Sequence, residues 1–109
     1  MARDVFDGVQ LRVGRVIKVR RSPDARTPAY QLTIDFGNEI GQKKSSAQIT
    51  EFYTGPGLMG KLVICTTNVS PLIIGSFVSE VVVNGFKLPN GIWVLSVPDA
   101  DVPLGTKLE

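Results

Sequence analysis

The segment Tyr30-Gln31-Leu32-Thr33-Ile34-Asp35-Phe36 alternates apolar and polar residues without a break. A period of two puts Tyr30, Leu32, Ile34 and Phe36 on one face and the polar residues on the other, the pattern of a half-buried strand. One such strand needs neighbours, and the rest of the chain offers them. Residues 10–20, rich in Val and Ile with interspersed charges, predict a strand in which Gly14 hints at a bulge. A loop with Pro23 and Pro28 follows. After Gly37-Asn38, residues 43–49 return as a polar strand, completing a meander. Thr50 is placed to cap one helical turn over Glu51-Phe52-Tyr53 before Gly55-Pro56-Gly57 stops it. Residues 61–68, 78–83 and 92–97 predict three more strands, with Leu88-Pro89-Asn90-Gly91 as the turn before the last.

Six β-prone segments, one short helix between the third and fourth, and no sustained helical period predict an all-β fold. The expected form is a small five-stranded Greek-key barrel of the oligonucleotide/oligosaccharide-binding type with terminal extensions. The 109 residues hold no repeat or linker and read as a single domain over 1–109.

Chemistry is limited by what is missing. With no histidine, the commonest general base, metal ligand and partner of a nucleophile are absent. No glycine pattern suits a phosphate-cradling loop, and Asp99 and Asp101 read as a solvated loop. A binding module is expected rather than an enzyme, with no catalytic residue, metal or cofactor. Cys65 lies in the apolar run Leu62-Val63-Ile64-Cys65 and reads as a small buried hydrophobe. No apolar run is long enough to span a membrane, and Met1 to Val5 lacks the features of a secretory signal. A cytoplasmic protein without membrane insertion is therefore expected.

The formal charge is only +2, yet seven of the twelve basic residues fall between Arg3 and Arg26. Counted by twos, Arg12, Lys18 and Arg20 share a strand face as a basic stripe, subject to any bulge. Lys43-Lys44-Ser45-Ser46 adds cations and hydroxyls of the kind phosphate contacts need, and could form a groove wall with that stripe. The segment between Pro71 and Gly75 reads as a loop, yet it holds Leu72, Ile73 and Ile74, with Phe77 beyond it. It either packs into the core or exposes an apolar interaction surface.

Several ordered stretches resemble the tRNA-binding domains related to the C-terminal extension of methionyl-tRNA synthetases. They are Leu11-Arg12-Val13-Gly14-Arg15-Val16, Ser22-Pro23-Asp24-Ala25, Leu32-Thr33-Ile34-Asp35-Phe36-Gly37, Asn68 with Pro71 and Gly75, Ser79-Glu80, and Val102-Pro103-Leu104-Gly105-Thr106-Lys107. Within that family, Lys44-Ser45-Ser46-Ala47-Gln48-Ile49-Thr50 and Phe77-Val78-Ser79-Glu80-Val81 resemble the branch named CsaA, described as protein-export chaperones. The resemblance implies tRNA binding as the ancestral activity, binding of unfolded polypeptide or preprotein as the branch activity, and a homodimer. On that basis Arg12, Lys18, Lys43, Lys44, Ser45, Ser46, Asn68 and Ser79 are the candidate nucleic-acid-binding residues. Leu72, Ile73, Ile74 and Phe77 are the candidate peptide-binding residues. The chain has Leu72 and Ile73 where the wider family tends to be basic, and Ala47-Gln48 where tRNA binders usually show Ser-Gly. Both departures suit extended apolar peptides. Val5-Phe6 and Val102-Pro103-Leu104, apolar at the two ends, are the expected dimer contacts.

Overall fold

Burial along residues 30–35 alternates strictly, and this strand sits between two others in the main sheet. The computed structural model describes residues 8–23 and 27–109. Val5-Phe6 at the expected dimer interface and Asp24-Ala25 of the family motif lie outside the described residues. In chain order the elements are β1 (Leu11–Arg21), β2 (Tyr30–Asp35), β3 (Gln42–Ala47), α1 (Gly55–Leu58), β4 (Leu62–Thr66), β5 (Leu72–Ile74), β6 (Phe77–Ser79), β7 (Val82–Val83), β8 (Gly85–Lys87) and β9 (Trp93–Leu95). The antiparallel order β3-β2-β1-β4-β7 makes the main sheet, while β5-β6 and β8-β9 are separate hairpins.

The sheet curls into a nearly closed barrel. Its free β3 edge is met by the residues just before β7: the amides of Glu80 and Val81 both donate to the Lys44 carbonyl, at 2.7 and 3.2 Å. This is why residues 78–83, expected as one strand, form two. At Glu80 and Val81 the backbone amides turn to β3 instead of continuing a single ladder. The five-stranded barrel with one short helix is the oligonucleotide/oligosaccharide-binding architecture. Inside it Val16, Leu32, Ile34, Phe36, Leu58, Val63 and Cys65 are almost wholly buried.

The helix differs from expectation in position. Residues 50–53 make only one helix-like turn, with the Tyr53 amide donating to the Ile49 carbonyl, whereas α1 begins at the glycine-proline segment expected to end a helix. Proline is compatible with a first helical turn, where its missing N–H has no intrahelical role, and Thr54 Oγ1 caps the turn by accepting from the Gly57 amide.

The bulge also lies elsewhere. Val16 pairs with Ile34 and Lys18 with Thr33, so Ile17 is the extra residue in β1. Gly14 instead permits close packing of the strand on the core, since a Cβ there would press on Ile34 Cγ2 and lie 2.8 Å from Phe36 Cε1. Ile17 reverses the parity of β1. Val16 is in the core before the bulge, and after it Val19 packs against the core.

Candidate functional site

Because of the bulge, Lys18 and Arg20 point out of the barrel, on the side opposite to Val19. Register then lines up Lys18 with Thr33 and Lys44, and Arg20 with Gln31 and Ser46, in two rows across β1, β2 and β3. The polar half of the alternation in β2 becomes the centre of a polar face. The β5-β6 hairpin brings Ser76 and Phe77 to this face, enclosing a cleft of about 260 Å³ with Lys18, Arg20, Gln31, Thr33 and Lys44. Three cations with hydroxyl and amide donors, and no carboxylate among the described lining residues, favour an anionic group such as a phosphate.

The same hairpin borders a second cleft, of about 370 Å³. Leu72 and Ile74 form one wall, and Ile49, Val82, Trp93 and Leu95 are among the residues lining the rest; none of its described lining residues is charged. The segment expected as a loop is a hairpin strand, because Gly75, at φ +60°, permits a two-residue turn that sets Ile74 against Phe77. Of the two outcomes open for this segment, exposure prevails: 61% for Leu72 and 72% for Ile73. Leu72 and Ile74 share a face, while Ile73 and its partner Val78 take the other.

Lys18 and Lys44 thus come together in the basic cleft, while Ser46, on the same face of β3, lines the apolar cleft, and the other expected nucleic-acid contacts do not join them. Arg12 has the parity of Gly14 and Val16, so the bulge separates it from Lys18 and Arg20, and its Nη1 donates to the Gly105 carbonyl at 2.8 Å. Lys43 and Lys44 project to opposite sides of β3, with Lys43 paired to the core residue Ile34. Ser45 is fully buried, its hydroxyl donating to the Ser46 carbonyl, so it cannot meet a ligand at the surface. Ser79 Oγ accepts from the Ser46 amide and donates to the Val81 carbonyl, which makes its hydroxyl part of the barrel seam. Asn68 ties the chain before β1 to the end of β4 by accepting from the Gln10 amide and donating to the Gly8 carbonyl. Of the expected peptide contacts, Leu72 and Ile74 line the apolar cleft, whereas Phe77 lines the basic one. The C-terminal segment is docked on the barrel: Val13 accepts from the Gly105 amide and donates to the Thr106 carbonyl, and Arg12 bridges to Lys107.

Sequence reasoning missed Gln31, Thr33 and Trp93 as lining residues. Gln31 and Thr33 were accessible as the outward positions of the clearest strand, but nothing in the sequence said which elements would surround Trp93. Among the described residues no group of three His, Cys, Asp or Glu side chains could hold a metal ion. No helix of the described residues is long and apolar enough to cross a membrane.

Comparison with known proteins matches residues 11–107 to the family described as the tRNA binding domain. A chaperone CsaA from Bacillus anthracis has a crystal structure superimposing with a TM-score of 0.90 at 40% identity, covering 100% of this chain and 99% of that one. A CsaA chaperone protein from Picrophilus torridus gives 0.89 at 38% identity, with the same coverage. A methionine–tRNA ligase of Bacillus anthracis is 32% identical over 106 residues, which are 97% of this chain but 16% of the ligase. The chain thus spans about a sixth of the length of such a relative.

Proposed function

The chain belongs to the tRNA binding domain family, and from that premise we propose that it is a CsaA-like chaperone which holds unfolded or export-destined polypeptides and keeps a capacity for tRNA. It acts as a cytoplasmic, non-catalytic homodimer, binding reversibly without nucleotide turnover. The observation that carries this reading is the exposure of Leu72 and Ile73 beside a cleft with no charged side chain among its described lining residues. Apolar side chains of a client, each contributing about 1.5–3 kcal/mol when fully covered, find there a surface that water does not stabilise. β5 pairs with β6 alone among the described strands, so its outer edge offers backbone groups to an extended chain.

A second reading, a free-standing tRNA-binding protein acting in trans on shape and backbone, is favoured by the cleft of Lys18, Arg20 and Lys44. Direct competition between tRNA and a reduced, unfolded polypeptide for the purified protein separates the two. Binding of the polypeptide, with suppression of its aggregation, is the expected result. Tight, steeply salt-dependent tRNA binding with no affinity for the polypeptide establishes the second reading instead. Sedimentation should give about twice 11.8 kDa, and a monomer at micromolar concentration removes the dimer from the proposal.

A further inference from the structure

Ile74 and Phe77 are directly paired across the β5-β6 ladder, yet they open onto different clefts, Ile74 onto the apolar one and Phe77 onto the basic one. Opposed side chains of such a pair stand on one face with Cβ atoms roughly 5 Å apart. On the facing strand, Lys44 lines the basic cleft and Ser46 the apolar one, two residues and about 7 Å along β3. Two clefts of unlike chemistry therefore abut along a border shared by β3 and the hairpin.

We infer that the polypeptide segment recognised here is bipartite: one or two large apolar side chains for the apolar cleft, with a carboxylate roughly two to four residues away held by Lys18, Arg20 and Lys44. The inference rests on the reading that the hairpin holds polypeptide and specifies the chemistry of the segment it selects. Charge complementarity carries it. The basic cleft has three cations and no carboxylate among its described lining residues. Glu80, at the seam nearby, has an oxygen already accepting the Lys44 amide. An extended polypeptide places apolar and anionic groups within a few residues of each other. RNA carries a charge at every nucleotide, so a strand running on from the basic cleft brings further phosphates to an apolar surface with no cation among its described lining residues to pair with them.

The test uses fluorescein-labelled synthetic peptides of about twelve residues with one common apolar core, titrated by anisotropy against the full chain. A Glu, Gln or Lys is placed about three residues to the N-terminal or the C-terminal side of the core, or about eight residues from it. One of the two near positions should show Glu binding about fivefold tighter than Gln, with Lys weakest, as a charge-assisted contact requires. The distant position should show little preference. Lys18→Gln, Arg20→Gln and Lys44→Gln together should abolish the preference, whereas Lys87→Gln, which removes one charge from outside both clefts, should leave it. Circular dichroism checks the fold of the triple variant, and raising the salt concentration on the unaltered protein is an independent arm that should shrink the preference.

Equal binding of the three peptides, an equal preference at the distant position, or a preference that survives the triple variant or high salt overturns the inference. Loss of tRNA binding in the triple variant with the peptide preference intact also overturns it, assigning the basic cleft to RNA. When the peptides bind without charge preference, the bipartite segment fails and the chaperone reading stands. When neither the peptides nor an unfolded polypeptide bind, both fail together.

Discussion

Lys44 and Glu80 hold each other twice: the Lys44 amide donates to Glu80 Oε1 at 3.1 Å, and the Glu80 amide donates to the Lys44 carbonyl at 2.7 Å. Half of this clasp is a side chain standing in for a strand's carbonyl. The seam that closes the barrel therefore depends on residue identity in a way an ordinary ladder does not. It also roots the hairpin beside Lys44, whose own side chain lines the basic cleft.

Glu80→Ala leaves the Lys44 amide without that acceptor and should cost about 1 kcal/mol, seen as a lower melting temperature and faster hydrogen exchange at Lys44. Glu80→Gln keeps an oxygen in place and should lose less. Equal exchange at Lys44 in all three proteins would show that the clasp is not formed in solution.

The adjacent lysines should behave differently toward tRNA. Lys44→Ala should flatten the dependence of log affinity on log salt by about one unit, as loss of one phosphate contact does. Lys43→Ala should leave the slope nearly unchanged, since Lys43 has the parity of Ser45 and pairs with Ile34. Identical slopes in the two variants would remove the basic cleft from the RNA surface.

Arginine on the hairpin should move the two proposed binding activities in opposite directions. Leu72→Arg with Ile73→Arg should weaken binding of unfolded polypeptide and strengthen tRNA binding, by removing apolar surface and adding charge. The fold should survive, because both side chains are largely exposed. Of the single variants, Leu72→Arg should do more to polypeptide binding, since Leu72 lines the cleft and Ile73 takes the other face. A folded double variant that binds polypeptide undiminished would place the client surface elsewhere.

Gly14→Ala tests the core. The added methyl would lie 2.8 Å from Phe36 Cε1 and press on Ile34 Cγ2, an overpacking that should cost about 1–3 kcal/mol in chemical denaturation. Unchanged stability would mean that β1 moves away from β2 without penalty.

The Cys65 thiol is buried in the barrel, and burial pushes its pKa from 9.0 up to about 12. The folded state keeps this proton after the unfolded chain has released it. Its contribution to stability is complete below pH 9 and is lost as the pH rises from 9 towards 12. Native protein should react slowly with thiol reagents at about pH 8 and rapidly once denatured. The Cys65→Ala variant should show a smaller loss of stability above pH 9; an identical loss in both proteins would mean that other groups are responsible.

Local physical chemistry was legible in the chain itself. The alternation of residues 30–36 determined β2 and which of its faces is buried, because side-chain direction in a strand follows from parity alone. The absence of histidine and of phosphate-loop motifs directed attention to binding, and the ordered family stretches pointed to the barrel. The tertiary structure decided which residues meet. A bulge at Ile17 rather than Gly14 reversed the parity of β1, separating Arg12 from Lys18 and Arg20, and no local signal marks where one strand gains a residue over its partner. Parity within β3 split Lys43 from Lys44 and buried Ser45, a consequence of register with β2 that the polar composition of the segment conceals. The exposure of Leu72 and Ile73, and the pairing of Ile74 with Phe77 at the border of two clefts, follow from where a two-residue turn places a hairpin on a finished barrel. Exposure depends on contacts between residues distant in the chain, so an apolar run reads alike whether it ends in a core or on a surface.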